Sequence, residues 1–120
     1  MKKLMLAAVM AVCGAILAGC AGLEVSRVAA DNVPVVVAAG NNLRNAVVQA
    51  ATHRRWNVQA LANGDIRCQI LQRSNKVTID IVVTSETTYT IKFVESNIPT
   101  RKYNQWVGNL QREIARWAAR

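Results

Sequence analysis

Val77-Thr78-Ile79-Asp80-Ile81-Val82-Val83-Thr84 decides the fold. Val77, Ile79, Ile81 and Val83 occupy every second position, with Thr78, Asp80, Val82 and Thr84 between them. Successive side chains of a strand point to opposite faces, so this alternation predicts a strand with one apolar face and one mostly polar face. The same period continues on both sides. Upstream, Ile66, Cys68 and Ile70 alternate with Arg67 and Gln69; downstream, Tyr89, Ile91 and Phe93 alternate with Thr88, Thr90, Lys92 and Val94. Arg73-Ser74-Asn75-Lys76 and Ser85-Glu86-Thr87 supply the turns. Alternating runs joined by such short connections predict an antiparallel meander of three strands.

An apolar sheet face needs a cover. Asn41-Asn42 offers an N-cap before a helix over 43–55, with Leu43, Val47, Ala50 and Ala51 on one side and Ala46 beside them. His53-Arg54-Arg55 brings positive charge to its last turn, where the helix dipole favours it. A second helix begins at Pro99-Thr100. Tyr103, Trp106, Val107, Leu110, Ile114, Trp117 and Ala118 recur along it at steps of three and four. An interfacial membrane helix can read this way too, but the apolar stripe matches what the sheet lacks. The expected fold is α+β, in the order α-β-β-β-α, with both helices on one face of a three-stranded sheet over residues 41–120. Two segments are left beside it. Val33-Pro34-Val35-Val36-Val37 reads as an edge strand or an extended lead-in, because Pro34 has no N–H to give to a ladder. Residues 58–65, with a turn at Asn63-Gly64-Asp65, extend or precede the first strand.

The N-terminus reads as an address. Lys2-Lys3 precedes an uncharged run from Leu4 to Leu17, which is short for a bilayer span and fits the apolar core of a signal peptide. Leu17-Ala18-Gly19-Cys20 is similar to a bacterial lipobox, which implies cleavage of residues 1–19 and a lipid on Cys20. The membrane is then a partner through that anchor, since stable anchoring takes more than one acyl chain and a diacylated Cys supplies them. Residues 20–40 are expected to be the lipidated Cys and a tether. Ala21, rather than Asp, points to the periplasmic face of the outer membrane.

What remains after residue 19 is enough for one small domain. The full chain carries 15 basic and 7 acidic residues, a net charge of +8. Without Lys2 and Lys3 the difference is 13 − 7 = +6. Such a surface attracts anions, and the envelope address favours an anionic polymer such as peptidoglycan, or an envelope protein, over nucleic acid. Cys13 leaves with the signal and Cys20 takes lipid, so Cys68 has no intrachain disulfide partner and reads as a small buried hydrophobe.

Catalytic groupings are not apparent. His53 is the only histidine, with Arg54 and Arg55 beside it to repel a cation. Asp65, Asp80, Glu86, Glu95 and Glu113 fall on turns, the polar sheet face and a helix, and no phosphate-cradling glycine loop occurs. No cofactor or metal is expected. The densest polar cluster is Glu95-Ser96-Asn97 followed by Arg101-Lys102-Tyr103-Asn104. Ser96 and Asn97 suit a strand-to-helix turn whose side chains bond nearby backbone, with Tyr103 and Asn104 tying the helix start to it. As a functional reading, Glu95, Ser96, Asn97, Arg101, Lys102, Tyr103 and Asn104 form a shallow polar binding site.

Arg54-Arg55-Trp56, Tyr89-Thr90-Ile91-Lys92-Phe93-Val94-Glu95-Ser96-Asn97-Ile98 and Tyr103-Asn104-Gln105-Trp106-Val107-Gly108-Asn109-Leu110 together resemble a family of small proteobacterial lipoproteins. In that family an Arg-Gly-Trp ends the first helix, and a Tyr-x-Ile-x-Tyr-x-x-Ser strand end leads to a Tyr-Asn-x-Trp helix. This chain departs in having Arg55 for Gly, Phe93 for Tyr, and Pro99-Thr100-Arg101 where a His is common. The resemblance implies the address and the fold and brings no established activity. The expected function is a non-enzymatic binding or assembly accessory of the envelope. The alternatives are an envelope hydrolase, or an inhibitor of one, acting on or near peptidoglycan, and a self-associating structural protein.

Overall fold

The structure, a computed structural model, describes residues 29–120. Its elements are β1 (Ala30–Pro34), α1 (Leu43–His53), β2 (Asn57–Ala60), β3 (Ile66–Gln72), β4 (Asn75–Val83), β5 (Thr88–Ser96) and α2 (Thr100–Ala118). The strands form one antiparallel sheet in the order β1-β5-β4-β3-β2. The class is α+β, but the three-stranded meander is overturned: the sheet has five strands. The meander β3-β4-β5 is its centre, and two short strands flank it.

Neither flanking strand carries a core pattern of its own. β2, Asn57-Val58-Gln59-Ala60, runs from Asn57 opposite Gln69 to Ala60 opposite Ile66, and only Val58 joins the core. β1 is Ala30-Asp31-Asn32-Val33-Pro34 and pairs Val33 with Tyr89 and Pro34 with Thr88. Its register slips between Ala30 and Val33, where Asn32 takes a positive φ of 48° and donates its N–H to Thr90 Oγ1 at 3.0 Å. Asparagine tolerates that conformation, and Pro34 sits at the end of an edge strand, where a missing donor is harmless. Each is made a strand by its neighbour rather than by its own pattern.

Both helices cover the same face. Leu43, Val47, Ala50 and Ala51 of α1 and Tyr103, Val107, Leu110 and Ile114 of α2 share one cluster with Ile66, Cys68, Val77, Ile79, Ile81, Tyr89 and Ile91. Asn42 caps α1 by accepting from Asn45 N–H at 2.7 Å. Its neighbour Asn41 donates from Nδ2 to the carbonyls of Trp117 and Ala118 at the end of α2, at 2.8 and 3.2 Å. One Asn-Asn pair therefore starts one helix and closes the other.

The opposite face is open and polar. Arg67 donates to both carboxylate oxygens of Asp80 at 2.8 and 2.9 Å, and Gln69 Nε2 donates to Thr78 Oγ1 at 2.9 Å. These cross-strand pairs leave Thr78 and Asp80 only 2% and 9% exposed, and Thr90, which accepts from Asn32 N–H, is 8% exposed. Among the described residues no helix is long and apolar enough to cross a membrane. The proposed signal peptide (1–19), the lipidation site Cys20 and the tether up to residue 28 lie outside the described residues.

Candidate binding site

The polar cluster singled out in the sequence is divided by the fold. Glu95 pairs with Lys76 Nζ at 3.0 Å across neighbouring strands. Ser96 Oγ accepts from Ile98 N–H at 3.3 Å, a local turn bond. Asn97 reaches further. Its Nδ2 donates to Ser74 O at 2.6 Å, its Oδ1 accepts from Lys76 N–H at 2.7 Å, and its own N–H donates to Lys76 O at 3.0 Å. It clamps the β3–β4 hairpin, whose two-residue loop holds Arg73 at a positive φ of 59°. Tyr103 is fully buried with its ring edge-on to Phe93 at 5.4 Å. Asn104 is half-buried and partnered. Arg101 and Lys102 stand exposed on the first turn of α2, with Lys102 Nζ 5.3 Å from the centre of the Trp106 ring. Glu95, Ser96 and Asn97 thus gather at the hairpin, while Tyr103 belongs to the core.

A better-formed concavity lies on the other side of that hairpin. A groove of about 320 Å³ is lined by Arg54, Arg55 and Trp56 at the end of α1, by Ile70, Leu71 and Gln72 of β3, and by Trp106 of α2. The turn at the end of α1 explains its shape. Arg55 N–H donates to Thr52 O and Trp56 N–H to Ala51 O, at 3.0 and 2.8 Å. These are the two bonds of a Schellman ending, which needs a left-handed residue between them. That residue is Arg55, at φ 68°. The motif drives Trp56 inward to 4% exposure and aims the Arg54–Arg55 pair outward over the groove.

The electrostatics of the groove are one-sided. No carboxylate lines it, and neither Arg54 nor Arg55 has an ion-pair partner among the described residues. Leu71, 58% exposed, lies at the groove's rim, and half-buried Ile70 and Trp106 give it an apolar side. Two guanidiniums above an apolar and indole floor can hold an anionic group that carries an apolar portion. A larger groove of about 650 Å³ runs along residues 37–44 and the β4–β5 turn, but there Arg44 and Glu86 are of opposite sign and no pair of like charges converges. Of the smaller groove, the Arg-Arg-Trp run was visible in sequence. Ile70, Leu71, Gln72 and Trp106 joined it only through tertiary packing.

The remaining reactive groups are occupied elsewhere. Glu113, 4% exposed, accepts from Trp117 Nε1 at 3.0 Å and Arg116 Nη1 at 3.2 Å, with His53 Nε2 3.6 Å away. Cys68 is fully buried, and burial pushes its thiol up to about 12, with the Asp80 charge adding to the effect. Among the described residues no three His, Cys, Asp or Glu side chains come together as a metal site. No protein-family model, curated protein or solved structure matches the chain.

Proposed function

We propose that this chain is a non-enzymatic binding or assembly accessory of the bacterial envelope, held at the periplasmic face of the outer membrane by lipid on Cys20. In this reading its basic groove takes an anionic group of peptidoglycan or of an envelope protein. The observation that carries the binding role is the outward Arg54–Arg55 pair over an indole-lined groove free of carboxylates. Arg55 holds a backbone conformation unfavourable for a side chain. Strain of that kind tends to persist where the side chain is used. The same left-handed position gives a reason for glycine to be usual there, which supports the resemblance to the small proteobacterial lipoproteins. The accessory role is further supported by the carboxylates: Asp80, Glu95 and Glu113 each serve a structural pair.

The test has two arms. Wild type and Cys20→Ala are labelled with a palmitate analogue and fractionated; label and outer-membrane location present in wild type and lost in the variant are expected. Unchanged location in Cys20→Ala overturns the anchor. A photocrosslinker at Leu71, in the groove, is then activated in cells. An adduct to peptidoglycan or to one defined envelope protein, lost when Arg54→Gln and Arg55→Gln are added, is expected; an adduct that survives both changes overturns the groove.

A further inference from the structure

The side of α2 turned away from the core is basic. Arg101, Lys102, Arg112, Arg116 and Arg120 are all exposed there. The helix has a single acidic residue, Glu113, and that carboxylate is buried and bonded to Trp117 and Arg116. Between the cations lie two half-buried indoles, each with a charge over its ring: Lys102 Nζ 5.3 Å from Trp106 and Arg120 Cζ 4.0 Å from Trp117. With Arg116 paired to Glu113, the remaining cations are Arg101, Lys102 and Arg112 on the helix and Arg120 just past its end; with indoles between them and no exposed acid on the helix, they make a surface complementary to anionic headgroups.

The path of the chain points to the same side. Val33, Pro34 and Val35, at and just after β1, line a shallow pocket together with Gly108, Arg112 and Ala115 of α2. The end of β1 and the residue after it therefore run along the flank of that helix. Cys20 and Ala29, the first described residue, are nine peptide steps apart, which at full extension reach roughly 30 Å. That is about the diameter of a small domain. A lipid on Cys20 leaves the domain no way to stand far from the bilayer.

We infer that the outer side of α2 docks on an anionic phospholipid surface, so that the domain is oriented on the leaflet that anchors it. The leash argument rests on the lipid-anchored reading above, whereas the charge argument does not. Each cation near an anionic surface strengthens partitioning about fivefold, so the four left after Arg116 pairs with Glu113 are ample to orient a domain already held there. The apolar stripe of α2 is committed to the core. Docking is therefore electrostatic and shallow, without insertion of the helix.

The full-length lipidated protein is reconstituted with vesicles of phosphatidylcholine alone or enriched in phosphatidylglycerol. Flotation with neutral vesicles reports the anchor; shielding of tryptophan emission from acrylamide reports docking. The expected result is flotation with both, with quenching reduced about twofold only on the anionic vesicles. That shielding is lost in about 1 M salt, where screening falls to about 3 Å, and in the variant R101Q/K102Q/R112Q/R120Q. The salt titration uses wild type, so it decides even where the variant folds poorly. Equal quenching on both vesicles, with flotation intact, overturns docking and leaves the anchor standing. Flotation with anionic vesicles alone supports docking and overturns the anchor; flotation with neither overturns both. Because Trp106 also lines the groove, shielding on anionic vesicles that survives R101Q/K102Q/R112Q/R120Q but is lost with Arg54→Gln and Arg55→Gln overturns the inference as well.

Discussion

Two polar regions flank the β3–β4 hairpin, and they differ in where their polar groups are directed. At Glu95–Asn97 the side chains turn back onto the protein: a carboxylate to Lys76, a hydroxyl to Ile98 N–H, an amide to both sides of the hairpin. At Arg54–Arg55 the guanidiniums turn outward with no acidic partner among the described residues. Both regions hold an arginine at positive φ, Arg73 in one and Arg55 in the other. The loop that holds Arg73 is braced by Asn97, the residue after β5, through Ser74 and Lys76; Arg55 is held by the backbone bonds of the helix ending it belongs to. A polar cluster in sequence is therefore ambiguous until its hydrogen bonds are placed. Satisfied groups stabilise, whereas unsatisfied ones at a concavity remain available to a ligand.

The sharpest way to break the comparison is Tyr103→Ala. Tyr103 stands within the polar cluster along the sequence, yet it is fully buried against Phe93. Removing a buried ring costs about 3–5 kcal/mol, so urea denaturation should show a loss of that order. A loss under about 1 kcal/mol would return Tyr103 to the surface and to the list of binding candidates. Asn97→Ala comes next. It frees Ser74 O and Lys76 N–H to water at an exposed turn and removes the brace on the loop that holds Arg73. The expected cost is about 1–2 kcal/mol, with crosslinking at Leu71 unchanged. Lost crosslinking at unchanged stability would reverse the roles of the two regions.

These outcomes also show what the sequence could carry. The period of two in Ile66–Ile70, Val77–Val83 and Tyr89–Phe93 is imposed by a face buried under helices, and all three runs are strands. Leu43–Ala51 and Tyr103–Ala118 carry a helical period for the same reason. β1 and β2 bury little, so burial left no pattern in them, and the sequence marks them only as an edge strand or lead-in near Val33–Val37 and as an extension of the first strand over 58–65. The candidate site was half legible. Asn97 invited a turn reading, but its partners Ser74 and Lys76 lie more than twenty residues away, and no local rule reaches that far. The groove needed α1, β3 and α2 to meet, which spacing along the chain does not encode.

Arg55→Gly sharpens the comparison from the other side. A left-handed residue with a side chain costs about 1–2 kcal/mol relative to right-handed backbone. Glycine removes that cost but loses about 0.5–1 kcal/mol through its freer unfolded chain. The balance is a gain of about 0.5–1 kcal/mol at the Schellman position. The same variant should lose groove crosslinking, so stability and capture move in opposite directions. A variant that is both less stable and fully competent would mean that the Arg55 side chain supports the fold and does not serve the groove.

The smallest expected change in stability is at Arg54. It follows α1 as the C-cap residue, and the bond there is made by its backbone: its N–H donates to Ala50 O at 3.0 Å. Its side chain is exposed and has no acidic partner among the described residues. Arg54→Gln keeps the backbone bond and most of the aliphatic stem while removing the charge. Stability should stay within about 0.5 kcal/mol of wild type, as for surface changes away from caps and cores. Removing that charge also takes away half of the groove's guanidinium pair, so crosslinking at Leu71 should fall while the denaturation midpoint does not. Measured beside Asn97→Ala, this gives a crossed pattern: one residue sensed by urea alone, the other by the partner alone. If both variants moved only the urea midpoint, the Arg54 charge would be structural, and the two sides of the hairpin would no longer differ.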